Sequence, residues 1–355
     1  MALMKKRLVI LSAFLSPYRS GAEAMVEEVS MRLADAFDIT IVTGRYSRSL
    51  PKHVTLGRGV KVIRVGFGCS FDKWLYPFLA PMQLGALKPD IIHAVLETFA
   101  GLALLFCRCT AKKILTLQTT NRTFLKGPIV RFPDTVTAIS AELQRIAASY
   151  GRRDVTVIPN GIDLSGLKDA CGRFAKDSGR VLFVGRLEPM KGIDTLLRAF
   201  AKAIKGLDPS VKLRIVGSGS EEKKLKNLAT ELEIDHRVVF TGRLDGDKLF
   251  EEYARAEIFC GLSRSEALGN VFLESQAAGC ALLATNVGGI PEILKDGETG
   301  ILVPVDDVDA AAEELRRLLT DPSLRAKLSN AARKHAETYG WDGVAERYRS
   351  LYADL

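Results

Sequence analysis

The sequence predicts an α/β protein made of two doubly wound, Rossmann-like domains. A chain of 355 residues is long for a single hydrophobic core, and two domains of roughly 150 to 200 residues each are expected. Apolar, β-branched runs alternate with helical patterns, which is the βαβ rhythm of a parallel sheet. Several runs are apolar throughout, as expected where helices cover both faces. Such sheets bind ligands beyond the carboxyl ends of their strands, so two of them facing each other would enclose a cleft.

The first domain is predicted over residues 1–163. A helix is expected to open at Gly21, because apolar residues recur after it at intervals of three and four. These residues are Met25, Val29, Leu33 and Ala36. Strands are expected at residues 7–13, 39–43, 60–65, 90–95, 113–118, 135–139 and 155–158.

The second domain is predicted over residues 164–335. Periodicity is lost after the Pro-Asn-Gly turn, through Gly172 to Gly179, which fits a domain boundary in this region. The strand rhythm then restarts at residues 181–185, 212–217, 238–242, 258–261, 281–285 and 300–303. The chain from Pro322 to Leu355 has helical periodicity with a break at residues 339–342, and residues 336–355 are predicted to form a separate C-terminal helix.

The positive charge of the chain lies in its first half. Residues 1–165 hold 22 Lys and Arg against 12 Asp and Glu, whereas the remainder holds 28 against 30. A basic surface attracts anionic lipid, phosphorylated acceptors or nucleic acid, although a solvated positive face without a partner is an equal alternative. Aromatic residues are not interleaved with the basic ones in any nucleic-acid motif, so no nucleic acid is expected as a partner.

Cysteine usage and hydropathy indicate a cytoplasmic protein. The six cysteines do not follow a metal-ligand pattern, which favours ordinary thiols in a reducing compartment and no metal. No secretory signal is convincing, because the apolar run at residues 8–15 fits a first strand better. The uncharged run at residues 74–87 contains 14 residues and two prolines, too few to span a bilayer. It could lie at a membrane surface or line an acceptor cleft, and a packed helical hairpin or interdomain lid is the alternative.

Candidate ligand-binding residues follow two predicted strands of the second domain. Arg186 and Lys191 come after the strand that ends at Gly185, where a guanidinium and an ammonium could bind phosphate oxygens. Residues 268–270 precede a helix whose free N–H groups would accept a diphosphate. Glu274 lies inside that helix, where it could hold ribose hydroxyls, and Glu266 precedes the turn. For each residue alone, a solvated surface charge is the alternative.

An ordered series of motifs resembles the GT-B glycosyltransferases of family 4. The motifs are Val184-Gly185-Arg186-Leu187 with Lys191-Gly192, Val216-Gly217-Ser218-Gly219, Phe240-Thr241-Gly242, the E-x7-E spacing from Glu266 to Glu274, and Gly288-Gly289-Ile290-Pro291-Glu292. Gly21-Ala22-Glu23 and Ile158-Pro159-Asn160-Gly161-Ile162-Asp163 match upstream. The resemblance spans nearly the whole chain and is densest from residue 181 to 304.

This resemblance implies a retaining hexosyltransferase that uses a UDP- or GDP-linked sugar, without a metal or another cofactor. Arg186 and Lys191 would neutralise the departing diphosphate, Glu266 would contact the donor sugar, and Glu274 would hold the ribose. The remaining donor contacts implied are Gly21, Gly217, Arg243, Leu268, Gly269, Asn270 and Val271. The last helix would cross back onto the first domain.

The chain departs from the family pattern in its first half. Many members carry a histidine after the fifth strand, where this chain has Gln118, which can hydrogen-bond a sugar hydroxyl but cannot shuttle a proton. His93 matches another frequent histidine. We treat both as candidates for acceptor or donor-sugar contact, with a buried, hydrogen-bonded core residue as the alternative for His93. The first loop has Ser20-Gly21 where two glycines are frequent.

The acceptor implied is a hydroxyl compound, and a lipid-linked or membrane glycolipid acceptor fits the basic first half and the uncharged run at residues 74–87. The enzyme would then be peripheral on the inner face of the membrane. The alternative function is a non-catalytic protein on the same scaffold that binds a sugar nucleotide or a nucleic acid. A dinucleotide oxidoreductase is excluded, because neither first-strand turn has the G-x-G-x-x-G spacing.

Overall fold

The chain folds into two compact units. The computed structural model describes residues 5–121 and 125–355. Unit 1 comprises the chain up to Gly161 together with Trp341–Leu355, and unit 2 comprises Ile162–Gly340. The chain crosses from one unit to the other after Gly161 and again after Gly340. These two points are adjacent, since the Ile162 amide donates a hydrogen bond of 2.9 Å to the Tyr339 carbonyl and Ile162 forms a β-bridge with Gly340. The observed boundaries after residues 161 and 340 thus differ by a few residues from the expected ones after residues 163 and 335.

Unit 1 contains an eight-stranded sheet of order β3-β4-β2-β1-β5-β6-β7-β8. Its strands are β1 (Arg7–Leu11), β2 (Asp38–Gly44), β3 (His53–Thr55), β4 (Lys61–Val65), β5 (Ile91–Val95), β6 (Lys112–Leu117), β7 (Thr135–Ala138) and β8 (Val155–Val157). Its first six helices are α1 (Gly21–Leu33), α2 (Asp72–Leu79), α3 (Leu84–Leu87), α4 (Phe99–Leu105), α5 (Lys126–Arg131) and α6 (Ala141–Ser149). The central strands are almost entirely buried, as their continuous apolar sequences predict.

The strand β3 was not predicted from the sequence. It pairs antiparallel with β4, whereas every other pairing among the described strands of this sheet is parallel. Only three residues long, it lies at the sheet edge and shows little of the alternation that identifies a strand. Its backbone pairing with β4 therefore decides its conformation, and the local pattern does not.

Unit 2 contains a six-stranded parallel sheet of order β11-β10-β9-β12-β13-β14. Its strands are β9 (Arg180–Val184), β10 (Lys212–Val216), β11 (Val238–Gly242), β12 (Ile258–Gly261), β13 (Ala281–Thr285) and β14 (Ile301–Val303). Its helices are α7 (Leu164–Arg173), α8 (Ile193–Ala203), α9 (Glu222–Glu231), α10 (Asp247–Arg255), α11 (Asn270–Ala277), α12 (Ile290–Ile293), α13 (Val308–Thr320) and α14 (Pro322–Ala336). Strand order reverses between β9 and β12, the position at which doubly wound sheets bind ligands.

The final helix α15 (Trp341–Ala353) belongs to unit 1 and packs against α1. Its residues Trp341, Tyr348 and Tyr352 are buried in the core of that unit. A 2.6 Å ion pair between Arg32 and Asp342 joins α1 to the start of α15. The C-terminal residues are thus part of the core that supports the first sheet.

The described helices include none that combines the length and the apolar composition needed to cross a bilayer. The uncharged run at residues 74–87 folds into α2, a short 3-10 turn over Pro81–Gln83, and α3. It is therefore an interrupted helical segment, because the backbone stays in the right-handed helical region at Ala80, Gln83 and Leu84.

Candidate active site

The carboxyl ends of β9, β10 and β11 meet with unusually close backbones. Gly217 follows β10 with φ of 142°, and a Cβ placed on it would lie 1.8 Å from the Gly185 carbonyl oxygen. Its amide donates a 2.9 Å hydrogen bond to the Gly242 carbonyl. A side chain at position 217 would separate these strand ends, so glycine is required for this approach. The result is an edge where backbone groups are accessible between three adjacent loops.

Arg186 and Lys191 lie on the loop between β9 and α8. Arg186 is exposed, and Lys191 ends a short 3-10 turn, Pro189–Lys191, with its side chain largely buried. The amide of Leu187 donates to the Ser218 carbonyl at 3.0 Å, which joins this loop to the one after β10. Both predicted phosphate ligands therefore stand at the carboxyl edge of the sheet, on backbone held by a neighbouring strand end.

The structure brings Lys191 and Glu266 into direct contact. The Lys191 ammonium donates to Glu266 Oε2 at 2.5 Å, and the two side chains are 15% and 13% exposed. The residues are 75 positions apart, on loops that follow β9 and β12. Charge-assisted hydrogen bonds of this length are stronger than neutral ones, particularly where water is partly excluded. A cation and a carboxylate are thus held side by side at the point where strand order reverses.

Arg264, which the sequence analysis did not select, holds the Glu266 loop in position. Its guanidinium pairs with Asp194 at 2.9 Å and with Asp306 at 2.8 Å. Hydrogen bonding and charge from these two carboxylates raise the pKa of Arg264. It also donates to the Pro189 carbonyl at 2.6 Å, so it connects the two loops that carry Lys191 and Glu266. Its partners lie 70 and 42 residues away, and no local pattern reveals them.

The Glu266 backbone lies against the loop after β13. A Cβ on Gly288 would fall 2.0 Å from the Glu266 carbonyl oxygen, and Gly288 has φ of 58°. The Gly289 amide donates to that same carbonyl at 3.1 Å. The Gly288-Gly289 motif identified in the sequence therefore permits a close backbone contact that fixes the Glu266 loop.

Residues 268–271 form the turn into α11. Gly269 precedes the helix with φ of 95°, and Asn270 and Val271 are its first two residues. Leu268 is buried beneath the turn. The first N–H groups of a helix have no intrahelical acceptor, so this turn presents donors at the positive end of the helix dipole. Such an end suits an anion next to the Lys191–Glu266 pair.

Glu274 lies one turn into α11, and Tyr253 orients it. The fully buried Tyr253 hydroxyl donates to Glu274 Oε2 at 2.6 Å. Burial, followed by the charge of Glu274, raises the pKa of Tyr253 well above its usual value, so the phenol remains a donor. Tyr253 is on α10, and sequence spacing gave no sign of its role.

Arg243 lies at the outer end of the edge, directly after β11. It is exposed and pairs with the exposed Asp245 at 3.2 Å. Exposed pairs of this kind contribute little to stability. Its position places a cation at the rim of the strand ends, away from the buried pairs.

In unit 1, Gly21 begins α1, and Gln118 follows β6. The Ser20 amide donates to Glu23 at 2.9 Å, which satisfies the start of the helix. The Gln118 and Asn160 side-chain amides exchange two hydrogen bonds of 3.2 and 2.9 Å. Gln118 is therefore held at the carboxyl edge of the sheet by a residue from the Pro-Asn-Gly motif.

His93 does not stand at a ligand-accessible strand end. It lies within β5 with none of its surface exposed. Its ring nitrogens hydrogen-bond Tyr352 and Thr116, each at 2.7 Å, and burial lowers its pKa to about 3. This corrects its selection as a candidate for acceptor or sugar contact. His93 is the buried core residue of the alternative interpretation, and it anchors α15 to the sheet.

A second pair that the sequence did not reveal is Glu97 with Lys126. Their side chains are 0% and 1% exposed and 3.0 Å apart. Glu97 accepts from the Gln118 amide at 2.9 Å, while Lys126 donates to the carbonyls of Thr119 and Asn121. The pair therefore fixes the backbone that follows β6. Its members are 29 positions apart, so spacing does not predict their contact.

No group of three or more His, Cys, Asp or Glu side chains is placed to hold a metal ion within residues 5–121 and 125–355. Among the described residues of the unit 2 edge, positive charge comes from Arg186, Lys191 and Arg243, and from Arg264, which is paired with Asp194 and Asp306. The first three, with the start of α11, are the groups able to hold an anionic ligand there.

Comparison with known proteins agrees with this architecture. The family model Glycosyltransferase Family 4 matches residues 19–165, and Glycosyl transferases group 1 matches residues 169–335. A D-inositol 3-phosphate glycosyltransferase of Acidothermus cellulolyticus is 30% identical, over 94% of this chain and 85% of that protein. The protein of the same description from Nocardiopsis dassonvillei is 31% identical, over 94% and 89%.

Two solved structures share the fold over almost the whole chain. Sucrose-phosphate synthase from Thermosynechococcus elongatus has a TM-score of 0.87 at 22% identity, covering 99% of this chain and 100% of that one. Anabaena HepE in complex with UDP and glucose has a TM-score of 0.78 at 19% identity, covering 99% and 100%. At these identities the likeness concerns the fold.

Proposed function

Because the chain belongs to the family 4, group 1 glycosyltransferases, we propose that it is a retaining, metal-independent hexosyltransferase. It transfers a sugar from a nucleoside-diphosphate sugar to an acceptor hydroxyl. The observation that carries the proposal is the 2.5 Å pair between Lys191 and Glu266 beside the start of α11. A cation, a carboxylate and free helix N–H groups are the complementary groups for a diphosphate attached to a sugar.

In this proposal Lys191 and Arg186 stabilise the leaving diphosphate. Negative charge develops there as the glycosidic bond to phosphate breaks, so fixed cations lower the barrier more than they strengthen ground-state binding. The diphosphate competes with Glu266 for the Lys191 ammonium. Glu266 then faces the sugar and stabilises positive character at its anomeric carbon while the acceptor hydroxyl attacks on the same face and its proton passes to the departing phosphate oxygen.

The nucleotide lies along the remaining residues of the edge. Backbone N–H groups at residues 268–271 bind phosphate, and Glu274, oriented by Tyr253, accepts hydrogen bonds from ribose hydroxyls. Gly217 leaves room for the ligand to approach the backbone, and Arg243 borders the base. From unit 1 we assign the start of α1 at Gly21 to the diphosphate and Gln118 to a sugar hydroxyl.

We propose UDP as the nucleotide of the donor. The support is that one structural neighbour, Anabaena HepE, is described in complexes with UDP and with UDP-glucose. Thermal shift with UDP, GDP and ADP tests this, since a ligand at a hundred times its Kd stabilises the folded state by about 2.7 kcal/mol. A shift with UDP that Lys191→Ala removes is expected. A shift with GDP alone would reassign the base, and no shift with any of the three would contradict the donor site.

Stereochemistry and metal independence have separate tests. The anomeric configuration of the product, read by NMR from an α-linked donor, is expected to remain α. A β product would show inversion and contradict the mechanism. Transfer is expected to continue in excess EDTA, because Lys191 and Arg186 supply the charge that a divalent ion would supply elsewhere.

We propose a lipid-linked acceptor at the inner face of the cytoplasmic membrane. The support is the excess of ten positive charges in residues 1–165, which favours an anionic surface. Incubation of membranes with a labelled sugar nucleotide, followed by solvent extraction, is expected to move label into the lipid phase. Because the relatives are described as acting on D-inositol 3-phosphate, that compound is the comparison acceptor. Transfer to it alone would overturn the lipid assignment and retain the transferase.

A further inference from the structure

Unit 1 carries a patch of large apolar side chains on its surface, here called the aromatic face. Its members are Phe67, Phe71, Trp74, Phe78, Met82 and Phe106. They are 44% to 73% exposed, and they form more than half of the large hydrophobic residues exposed in the described chain. Single exposed apolar residues are ordinary, whereas a contiguous group indicates a surface that binds something.

Helix α2 is fixed so that its aromatic residues point outward. The buried Tyr76 hydroxyl donates to the Val42 carbonyl at 2.9 Å, and the buried Asp72 carboxylate accepts from the Gly68 and Cys69 amides at 2.6 and 3.1 Å. Residues 71, 74, 78 and 82 recur at intervals of three and four, which places them on one side of a helical segment. The exposure therefore follows from anchored secondary structure.

The aromatic face continues inward to the sheet. Trp74 packs edge to face on Phe99 at 5.3 Å, and Phe99 in turn meets Phe14 at 6.5 Å. Phe14 stacks on Tyr46 at 4.9 Å. These three inner aromatics follow β5, β1 and β2, so they lie at the carboxyl edge of the unit 1 sheet. An apolar path thus joins the surface to the edge where doubly wound sheets bind ligands.

Positive charge surrounds this surface. Residues 45–90 contain eight Lys or Arg against two Asp. Both acids are engaged, Asp72 with backbone amides and Asp90 with Arg7. The Lys73 ammonium lies 5.6 Å from the Trp74 ring centre. The local field therefore favours an anionic partner.

A cavity beside the aromatic face is also basic. It has a volume of about 240 Å³ and is lined by Lys52, His53 and Arg64 together with the apolar Leu79 and Met82, and its lining includes no acid. It is smaller than most pockets for nucleotides or drug-sized ligands. Its size and charge suit one phosphate group. The apolar part of the ligand that carries this phosphate would continue toward Met82.

We propose that unit 1 docks on an anionic lipid bilayer through the aromatic face, with the basic cavity holding a lipid phosphate. Aromatic rings, especially Trp, settle at the interface of a bilayer, and flanking Lys and Arg bind anionic headgroups. The inference rests on the lipid-linked acceptor proposed above, and the inner aromatics give the apolar chain of that acceptor a route to the sheet edge. A protein partner for this face is an outcome of the test.

Vesicle flotation measures the docking directly. The full-length protein is expected to float with phosphatidylcholine vesicles containing phosphatidylglycerol, and to remain in solution with phosphatidylcholine alone or at high salt. Trp74→Ser combined with Phe78→Ser is expected to weaken partitioning at least about tenfold, because the apolar area that enters the interface is lost. Phe132→Ser is the matched control, since Phe132 is an exposed aromatic of unit 1 outside the face.

Charge reversal tests the basic cavity. Lys52→Glu is expected to weaken partitioning by about fivefold or more, as each basic residue at an anionic surface contributes about 1 kcal/mol. Lys223→Glu changes an exposed lysine of unit 2 by the same charge and is expected to leave partitioning nearly unchanged. An equal loss in both variants would show that only net charge acts, and would overturn the cavity assignment.

Tryptophan fluorescence identifies the inserting residue. The chain has two tryptophans, and Trp341 is buried in unit 1. Anionic vesicles are expected to shift the emission of Trp74 to the blue, and brominated lipids are expected to quench it. The Trp74→Phe variant should show neither the blue shift nor the quenching, and it should float with vesicles as the native protein does. An unchanged spectrum in the native protein would overturn insertion.

The docking surface and the transferase can fail separately. UDP-dependent thermal stabilisation is expected to be the same in the Trp74→Ser, Phe78→Ser protein as in the native one, because neither Trp74 nor Phe78 is among the residues assigned to the donor. Flotation without anionic dependence, or equal flotation of the double variant, would overturn the docking surface alone. Light scattering that shows a native oligomer converted to monomer by the double variant would assign the face to a protein interface instead.

Discussion

The two units use the same sheet architecture and carry opposite chemistry at the carboxyl edges of their strands. In unit 2 that edge is formed by close glycine backbones and by charges paired across loops, as in Lys191 with Glu266 and Arg264 with Asp194. In unit 1 the same edge is lined by aromatic rings, and its buried ion pair, Glu97 with Lys126, faces the interior. One edge suits a charged ligand, and the other suits an apolar one.

In doubly wound proteins the parallel sheet determines where a ligand binds, and the loops determine which ligand binds. A transferase that joins a nucleotide-linked sugar to a lipid-linked hydroxyl needs both chemistries in a single chain. The following predictions test whether each edge depends on the interactions that distinguish it, in order of decreasing effect.

The largest effect is expected from Lys126→Met in unit 1. Glu97 would keep a buried charge without its cation, which costs roughly 3–5 kcal/mol of unfolding free energy. Urea denaturation measures this loss. Lys61→Met removes a cation whose pair with Asp38 is largely exposed, and about 1 kcal/mol or less is expected. Equal losses in the two variants would show that burial of the first pair has no energetic importance.

The next effect concerns catalysis at the unit 2 edge. Glu266→Gln and Lys191→Ala are each expected to reduce sugar transfer by about a hundredfold to a thousandfold, with circular dichroism unchanged, because each removes charge placed where charge develops. Lys202→Ala is the control, since Lys202 forms a 2.5 Å pair with Asp309 on the exposed faces of α8 and α13. Normal turnover in either site variant would mean that the site is misassigned.

A smaller effect is expected where the strand ends of unit 2 approach each other. Gly217→Ala introduces a Cβ at 1.8 Å from the Gly185 carbonyl oxygen and should lower the free energy of unfolding by about 3 kcal/mol. It should also weaken UDP binding. Gly206→Ala also has positive φ, but open space surrounds its Cβ, so about 1–2 kcal/mol is expected there. If the two variants lose the same stability, close approach at Gly217 is not what selects glycine.

The smallest effect is a pH dependence that belongs to unit 1. Because burial depresses the pKa of folded His93 to about 3, the unfolded state binds the extra proton below its own pKa of about 6.5. Stability should therefore fall by about 2 kcal/mol between pH 7 and about pH 5, and recover as pH rises. His93→Asn should remove this slope from denaturation curves. His236→Asn, at an exposed position, should preserve it, and a slope unchanged by His93→Asn would contradict the assignment.

Sequence reasoning selected the residues that we propose for the donor from local signals and from the family resemblance. Arg186, Lys191 and Glu266 are on loops that follow apolar strands, so the strand pattern places them at one edge of the sheet. It also selected His93 from its neighbours, and burial shows that this histidine supports α15. Arg264 and Glu97 were missed, because neither has a partner within reach of a local pattern.

The order of apolar runs, glycines and charges along the chain determined the family, the two α/β units and the loops that carry the charged site. Tertiary structure alone decided that Lys191 contacts Glu266, that His93 is inaccessible, that β3 forms, and that the aromatic face stays exposed. The physical reason is that conformational preference acts over a few residues. Burial and electrostatic pairing depend on groups that only the fold brings together.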